Sequence, residues 1–437
     1  MVPKLIRVRQ GLCLRACQSE KFKAETVSVS TAFPLERDRY LTSLLLAVLG
    51  RGCQKYPTLA EISRRLDYLW GAELSFRDYT LGDVHVVGLY ADLVSADYLP
   101  AGGETILREV LELLREILFH PLLDENGLLD AHYVESEKRL QCDAIRAKKN
   151  SPRAYALERC NALLFEGTLR EQGALGTVEQ VEAVTPELLT AHWHRLIDRI
   201  DLSCFYLGRK SGEEVAGVID GVLGDLTAAL PPLAARAYLA PPPLRAMRRA
   251  EDALPVTQGQ LVLGLRFAAP LNGRRTFAAA YLHELLGASP VSKLFVNVRE
   301  RLGLCYSCHA LLSRYTATLC VSCGLDEENR DCAEREILAQ INALSHGEIT
   351  DTEWEAARTA LFDHTRQMED SPSAIDRFYF NCAVSGVVCS TEEWQESLDA
   401  VTREEVARLA GEMTVDTVFF LHPTRAGEEE EDEDEEN

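Results

Sequence analysis

The residues nearest to a recognisable chemistry are Cys305 and Cys308, then Cys320 and Cys323, two C-x-x-C pairs with 11 residues between them. Zinc ribbons grip a tetrahedral ion with thiol pairs of this kind. The interval is a little short for a ribbon, and LGLCYSCHALLSRYTATLCVSCGL has strand-like composition. In a strand, positions i and i+3 face opposite sides, which would part the two thiols of each pair. A zinc knuckle also needs Gly or Pro beside each pair to turn the chain, and only Gly303 and Gly324 are near. The expectation is reduced, buried thiols and no metal held by this chain. The cysteine total of 13 is odd, and the opening MVPKLIRVRQGLCLRACQSEKFKAE is broken by charge too often for a signal peptide. Both fit a cytoplasmic protein with free thiols.

Histidines offer less. His132 and Glu135 form an H-x-x-E in HYVES, without the second imidazole that would complete a zinc-binding helix. A surface or capping role is expected for both. His192 and His194 are two apart and diverge on a helix, so both are read as structural.

The elements that would position such groups repeat along the chain. VEAVTPELLTAHWHRLI (181–197) leads into the apolar DLSCFYLG, and LDAVTREEVARLAGEM (398–413) leads into DTVFFLHP. Each unit is a Thr N-cap, an amphipathic helix and a short buried strand. Pro186 follows Thr185 at the first helical position, and Glu405 completes a capping box with Thr402. Val184 and Val401 are 217 residues apart, half the chain, which points to a tandem duplication. Helical periodicity marks 56–74, 105–119, 125–147, 152–166 and 276–287, with Val291, Leu294, Phe295 and Val298 repeating after Ser289 and Pro290. Strand-like runs stand at ELSFRDYTLG, HVVGLYADLV and QLVLGLRFAA. The predicted fold class is α+β, two homologous domains, each an antiparallel sheet with helices on one face. The predicted boundaries are 1–225 and 257–426, a proline-rich linker over 226–256 and an acidic disordered tail over 427–437.

Charge narrows the partners. The chain has 437 residues and a formal charge of −22; nine units come from the carboxylate run Glu428–Glu436, so the body stands at −13. Nucleic acid is excluded as an expected partner because phosphate neutralisation requires clustered Lys and Arg. The longest apolar runs, such as LTSLLLAVLG (41–50), are too short for a bilayer. An acidic body favours basic peptide segments.

YPTLAEISRRLDYLWGAEL followed by GDVHVV resembles the first half of the pitrilysin/insulinase family of inverted-motif zinc peptidases. YLHELLGASPVSKLFVNVRERLGLCYS (281–307) resembles its C-terminal-half signature more sharply. The likeness runs from about residue 20 to 425 and implies the insulinase metallohydrolase fold in a clamshell arrangement. Active members carry H-x-x-E-H on a first-half helix and a further Glu some 75 to 80 residues on, binding zinc and polarising water. Aligned on Gly52, the first His falls at Ser43, the Glu at Leu46, the second His at Ala47 and the distal ligand at Ala144. None of these side chains can ligate zinc, and no His occurs before residue 85. The resemblance therefore implies a pseudoenzyme, inactive alone and holding no cofactor.

What the family pattern retains is Arg299 and Tyr306, seven residues apart. In active relatives an Arg and a Tyr at this spacing hydrogen-bond the substrate backbone near the scissile bond. The resemblance implies the non-catalytic subunit of a heterodimeric metallopeptidase. Arg299 and Tyr306 would act in trans on peptides beside a zinc-bearing paralogue. Its alternative is a non-proteolytic peptide-binding or assembly scaffold, since the branch it resembles is associated with 5-aminopentanol modification of elongation factor P.

Overall fold

Two sheets with the same internal plan organise the chain. The computed structural model describes residues 2–100, 103–226, 245–387 and 389–424. The acidic tail and residues 227–244 of the proline-rich linker lie outside the described residues. The first sheet contains β1 (Lys4–Arg9), β2 (Leu12–Gln18), β3 (Ala24–Pro34), β4 (Glu73–Leu81), β5 (Val84–Val94) and β6 (Leu202–Gly208). Its order is β1-β2-β6-β3-β5-β4. The second contains β7 (Arg248–Leu254), β8 (Gly259–Arg266), β9 (Ser307–Ser313), β10 (Thr318–Leu325) and β11 (Thr414–Pro423), in the order β7-β11-β8-β10-β9.

Removing the edge strand β1 leaves two sheets that superimpose strand for strand in order. Pairing is antiparallel except at β2–β6 and β7–β11, the same place in each. The duplication seen in the sequence is thus carried into topology. Residues 248–254, placed by composition at the end of the linker, form β7 instead. RRAEDAL alternates half-buried and exposed positions, the pattern of an edge strand with one wet face.

The helices used below are α1 (Arg39–Leu49), α2 (Ile106–Phe119), α3 (Ala131–Ala147), α4 (Pro152–Leu164), α5 (Pro186–Ile197), α6 (Arg274–His283), α7 (Arg330–Ser345), α8 (Pro372–Val384) and α9 (Arg403–Gly411). The Thr185 hydroxyl caps α5 by accepting from the Leu188 N–H, and Thr402 caps α9 in a reciprocal box with Glu405. The preceding Val184 and Val401 are both buried. In each unit the repeated helix therefore enters at an equivalent depth.

Chain order and spatial unit do not coincide. One compact unit comprises Met1–Ile145, Ala174–Ala237 and Gln367–Thr391; the other comprises Arg146–Gly173, Tyr238–Arg366 and Glu392–Asn437. In the first, α1, α2 and α5 share a core with β3 and β5. In the second, α6, α7 and α9 do so with β8 and β10. Each sheet carries a further helix on its other face, supplied by the opposite half of the chain. α8 sets Ile375 and Tyr379 against Cys17, Phe205 and Leu207. α4 sets Ala156, Cys160 and Leu164 against Val262, Phe419 and Leu421. No helix among the described residues is long and apolar enough to cross a membrane.

Candidate functional site

α1 forms because LTSLLLAVL is nearly all helix-favouring apolar sequence, and six of its Leu and Val residues are buried. The remaining stripe lines a cleft of about 640 Å³. Ser43, Leu46 and Ala47 stand in its wall, with Gly50, Arg51, Phe76 and Asp78. Three of the four positions that the resemblance assigns to zinc chemistry thus share one cleft. The fourth, Ala144, is exposed on α3 and is absent from that lining.

Polar groups in the cleft are occupied with each other. The Ser43 hydroxyl donates to Asp78 Oδ2 at 2.5 Å. His85 Nε2 is 2.7 Å from Asp78 Oδ1, and an Arg39 guanidinium nitrogen is 3.4 Å from the same oxygen. Burial pushes the Asp78 carboxyl up, but hydrogen bonds from His85 and Ser43 and the charges of His85 and Arg39 outweigh it, so the net direction is down. Beneath, Arg51 pairs with the buried Glu137, and the Gln141 amide donates to the carbonyls of Tyr40 and Leu175. A zinc ion does not fit this set. Ser, Leu and two Ala supply no imidazole or carboxylate, and the carboxylate in the wall, Asp78, is already engaged on both oxygens.

Asp78 was invisible as a candidate in the sequence. It is an acidic residue within an alternating strand, and its partners come from 7, 35 and 39 residues away. The decoys behave as expected. His132 and Glu135 are exposed, with Glu135 accepting from Lys138 at 2.8 Å. His192 is buried and bonded to the Thr42 hydroxyl at 2.9 Å, which joins α5 to α1.

In the second unit the chain around 285–306 departs from an ordinary helix. Glu284–Ala288 and Leu294–Arg301 are π-helical, and residues 289–292 form the turn between them. Leu294 and Val298 are buried within the second π segment, while Val291 lies in the turn before it and is exposed, so the four-residue periodic face is only half realised. Gly287 is required by close approach, because a Cβ there would come within 2.7 Å of the Ala310 N. Gly303, at φ +61°, then turns the chain toward β9.

Arg299 sits near the end of the second π segment with 41% of its side chain exposed. Its guanidinium lies 4.7 Å from the Phe295 ring centroid, and Nε is 3.7 Å from Glu300 Oε1. Tyr306 is exposed, and its phenol donates to Asp326 Oδ2 at 3.2 Å. That hydrogen bond and the carboxylate charge push the phenol pKa up, so it stays protonated and able to donate. The Tyr306 backbone is held by its N–H to the Gly324 carbonyl at 2.9 Å. Two directional donors are thus presented from a fixed backbone, suited to gripping a carbonyl.

Cys305 stands beside Tyr306 and does not obey the alternation argument. It precedes β9, at a bend, so the two-residue strand period does not govern it. Its thiol turns to the same side as those of Cys308 and Cys323. Hydrogen bonds from those two thiols, with the Arg299 charge adding, move its pKa below the ordinary thiol range. Cys320 follows the strand rule and faces the other way, toward Asn161 and Cys160.

Known proteins resemble this chain in sequence and in fold. Residues 183–361 match the family profile described as the peptidase M16 inactive domain. Over 421 residues the chain is 25% identical to the probable inactive metalloprotease YmfF of Bacillus subtilis strain 168, covering 95% of this chain and 96% of that one. Among solved structures, a conserved protein from Enterococcus faecalis V583 matches with a TM-score of 0.86 at 21% identity, over 98% of this chain and all of that one. A protease from Helicobacter pylori matches at 0.82 and 15% identity, over 97% of this chain and 100% of that chain. A peptidase M16 inactive domain from Pseudomonas fluorescens matches at 0.79 and 14% identity, over 98% and 99%.

Proposed function

We propose that this chain, an inactive member of the M16 (pitrilysin/insulinase) peptidase family, works as the non-catalytic subunit of a two-chain zinc peptidase and supplies Arg299 and Tyr306 to a site whose metal is held by a zinc-bearing paralogue. The observation that carries the reading is the exposure of both donors on a fixed backbone, Arg299 at 41% and Tyr306 at 56%. An arginine and a protonated phenol can both hydrogen-bond a peptide carbonyl and strengthen as charge develops on it. The cleft on α1 supports the same division of labour, because its side chains neither bind zinc nor leave a general base unengaged. The acidic body would favour basic segments in the bound peptide.

The test is a reconstituted pair cleaving a model peptide. Arg299→Ala should lower kcat about 100-fold with zinc content unchanged, the usual cost of one transition-state donor, and Tyr306→Phe should lower it about 10-fold. Cleavage at the wild-type rate in both variants would remove the shared site. It would favour a scaffold that binds peptide or assembles partners without cleavage, as in an elongation factor P modification pathway.

A further inference from the structure

The four C-x-x-C cysteines divide three to one, and the three form a cluster that the peptidase reading does not use. The Sγ atoms of Cys305, Cys308 and Cys323 all lie within 4.8 Å of one another. Their residues are 9%, 1% and 0% exposed. Cys308 and Cys323 are direct cross-strand partners on β9 and β10, facing the core that contains Leu294 and Val298. Cys305 joins them through the bend between Gly303 and Tyr306.

A buried cysteine is ordinarily a small apolar residue, and Cys17, Cys53, Cys142 and Cys204 in the other unit need no further account. Three thiols converging from two strands and a bend are a different arrangement. Zn–S bonds of about 2.3 Å at tetrahedral angles place sulfurs about 3.8 Å apart, within the spacing found here. Charge is also provided for. Arg299 lies close enough to act electrostatically on Cys305. Three thiolates around a divalent ion carry one net negative charge, which that guanidinium offsets; around a monovalent ion they would carry two.

We propose that Cys305, Cys308 and Cys323 form a three-thiolate site for a zinc ion, with the fourth position left to water or to an incoming donor. This site belongs to the second unit and is separate from the α1 positions of the family's catalytic metal. Binding displaces the protons of thiols that are still protonated and involves no electron transfer. The ion would clamp the bend that presents Tyr306, so metal loading and the placement of that phenol become one event.

The experiment is a zinc titration of the full-length chain, reduced, chelator-stripped and kept anaerobic, against a chromophoric competitor. Cadmium serves as a spectroscopic probe of thiolate ligation. One equivalent is expected, with a sulfur-to-cadmium charge-transfer band. Cys308→Ser should weaken binding by more than about 100-fold, beyond the usual loss from an outer-shell substitution, while Cys320→Ser should leave it unchanged. Cys308 and Cys323 are deeply buried and their variants can misfold, so Cys305→Ser, the outermost, is run beside them with circular dichroism as the folding control. Zinc should also protect these thiols of the wild-type chain from alkylation, read by peptide mass. Absence of stoichiometric zinc binding in the wild-type chain would overturn the proposal. Full retention by folded Cys305→Ser would overturn it too, as would stoichiometric uptake of Cu+ without any uptake of Zn2+.

Discussion

The cleft face of α1 and the segment from Leu294 to Tyr306 differ in where their polar groups direct their hydrogen bonds. On α1 the hydroxyl of Ser43 is turned to Asp78, which also holds His85 and Arg39, and Leu46 is packed into the core. In the second unit the backbone makes the bonds that hold the segment's frame, and the Tyr306 phenol adds an exposed bond to Asp326. The Gly303 and Leu304 N–H groups donate to the carbonyls of Arg299 and Val298 at 3.1 Å, and Tyr306 donates to Gly324. The side chains of Arg299 and Tyr306 reach outward. A surface whose polar groups satisfy one another answers to stability. One that presents donors needs a rigid frame and side-chain bonds that are exposed and exchangeable, as the 3.2 Å Tyr306–Asp326 bond is.

The strongest way to break this comparison is to place on α1 a piece of the zinc motif that the resembled family carries. Leu46 is 5% exposed in the first unit's core. Leu46→Glu loses the burial of a leucine and places an unpaired carboxylate against apolar neighbours, for a cost of about 4 kcal/mol. Ala47→His, at an exposed position on the same helix, should cost no more than about 0.5 kcal/mol. Urea unfolding of the two variants reads the contrast. A Leu46→Glu cost below about 1 kcal/mol would mean that α1 is still poised for the motif, and the distinction between the two regions would fail.

Acid should act next, and on the α1 side. Burial, followed by the nearby charge of Arg195, lowers the His192 pKa from 6.5 to about 4. The unfolded chain takes up a proton at this residue below pH 6.5 while the folded chain does not. Stability from this group is therefore constant above pH 6.5 and falls as pH drops toward 4, by about 3 kcal/mol in all. A non-titrating His192→Gln variant should show a shallower decline of the urea midpoint over that window. Equal slopes in the two proteins would remove His192 as the cause.

Much of the frame was legible beforehand. Thr185 and Thr402 with their following helices announced the duplication, because a cap and an amphipathic stripe are local signals. Strands β4 and β5 were legible to within a residue and β8 to within three at its C-terminal end, because alternation is local too. What escaped notice depends on distance. The stripe Ala156, Cys160, Leu164 shows that α4 is buried on one side, yet no helical stripe names the sheet that receives it, and α4 and α8 each cover the sheet of the opposite half. Asp78 is one more acidic residue until His85, Ser43 and Arg39 are folded around it. Cys305 was misplaced by a rule that holds inside strands, applied one bend too early; Cys320, well inside β10, obeyed it.

The smallest expected effect is the most discriminating. Arg299→Ala and Tyr306→Phe should each change stability by no more than about 0.5 kcal/mol, the range for exposed side chains outside a buried network. Arg299 would lose a 3.7 Å approach to Glu300 and a partly exposed contact with Phe295, neither of which solvent leaves strong. Tyr306 would lose a 3.2 Å bond to Asp326 that water can replace at an exposed site. Thermal melts of the metal-free chain check this, since they read the side chains' own contribution without an ion whose site Arg299 helps to neutralise. A loss of 2 kcal/mol or more, on the order seen for buried networks, would show that these side chains answer to folding after all. The segment would then stand with α1, and the case for donors held ready for a peptide would lose its footing.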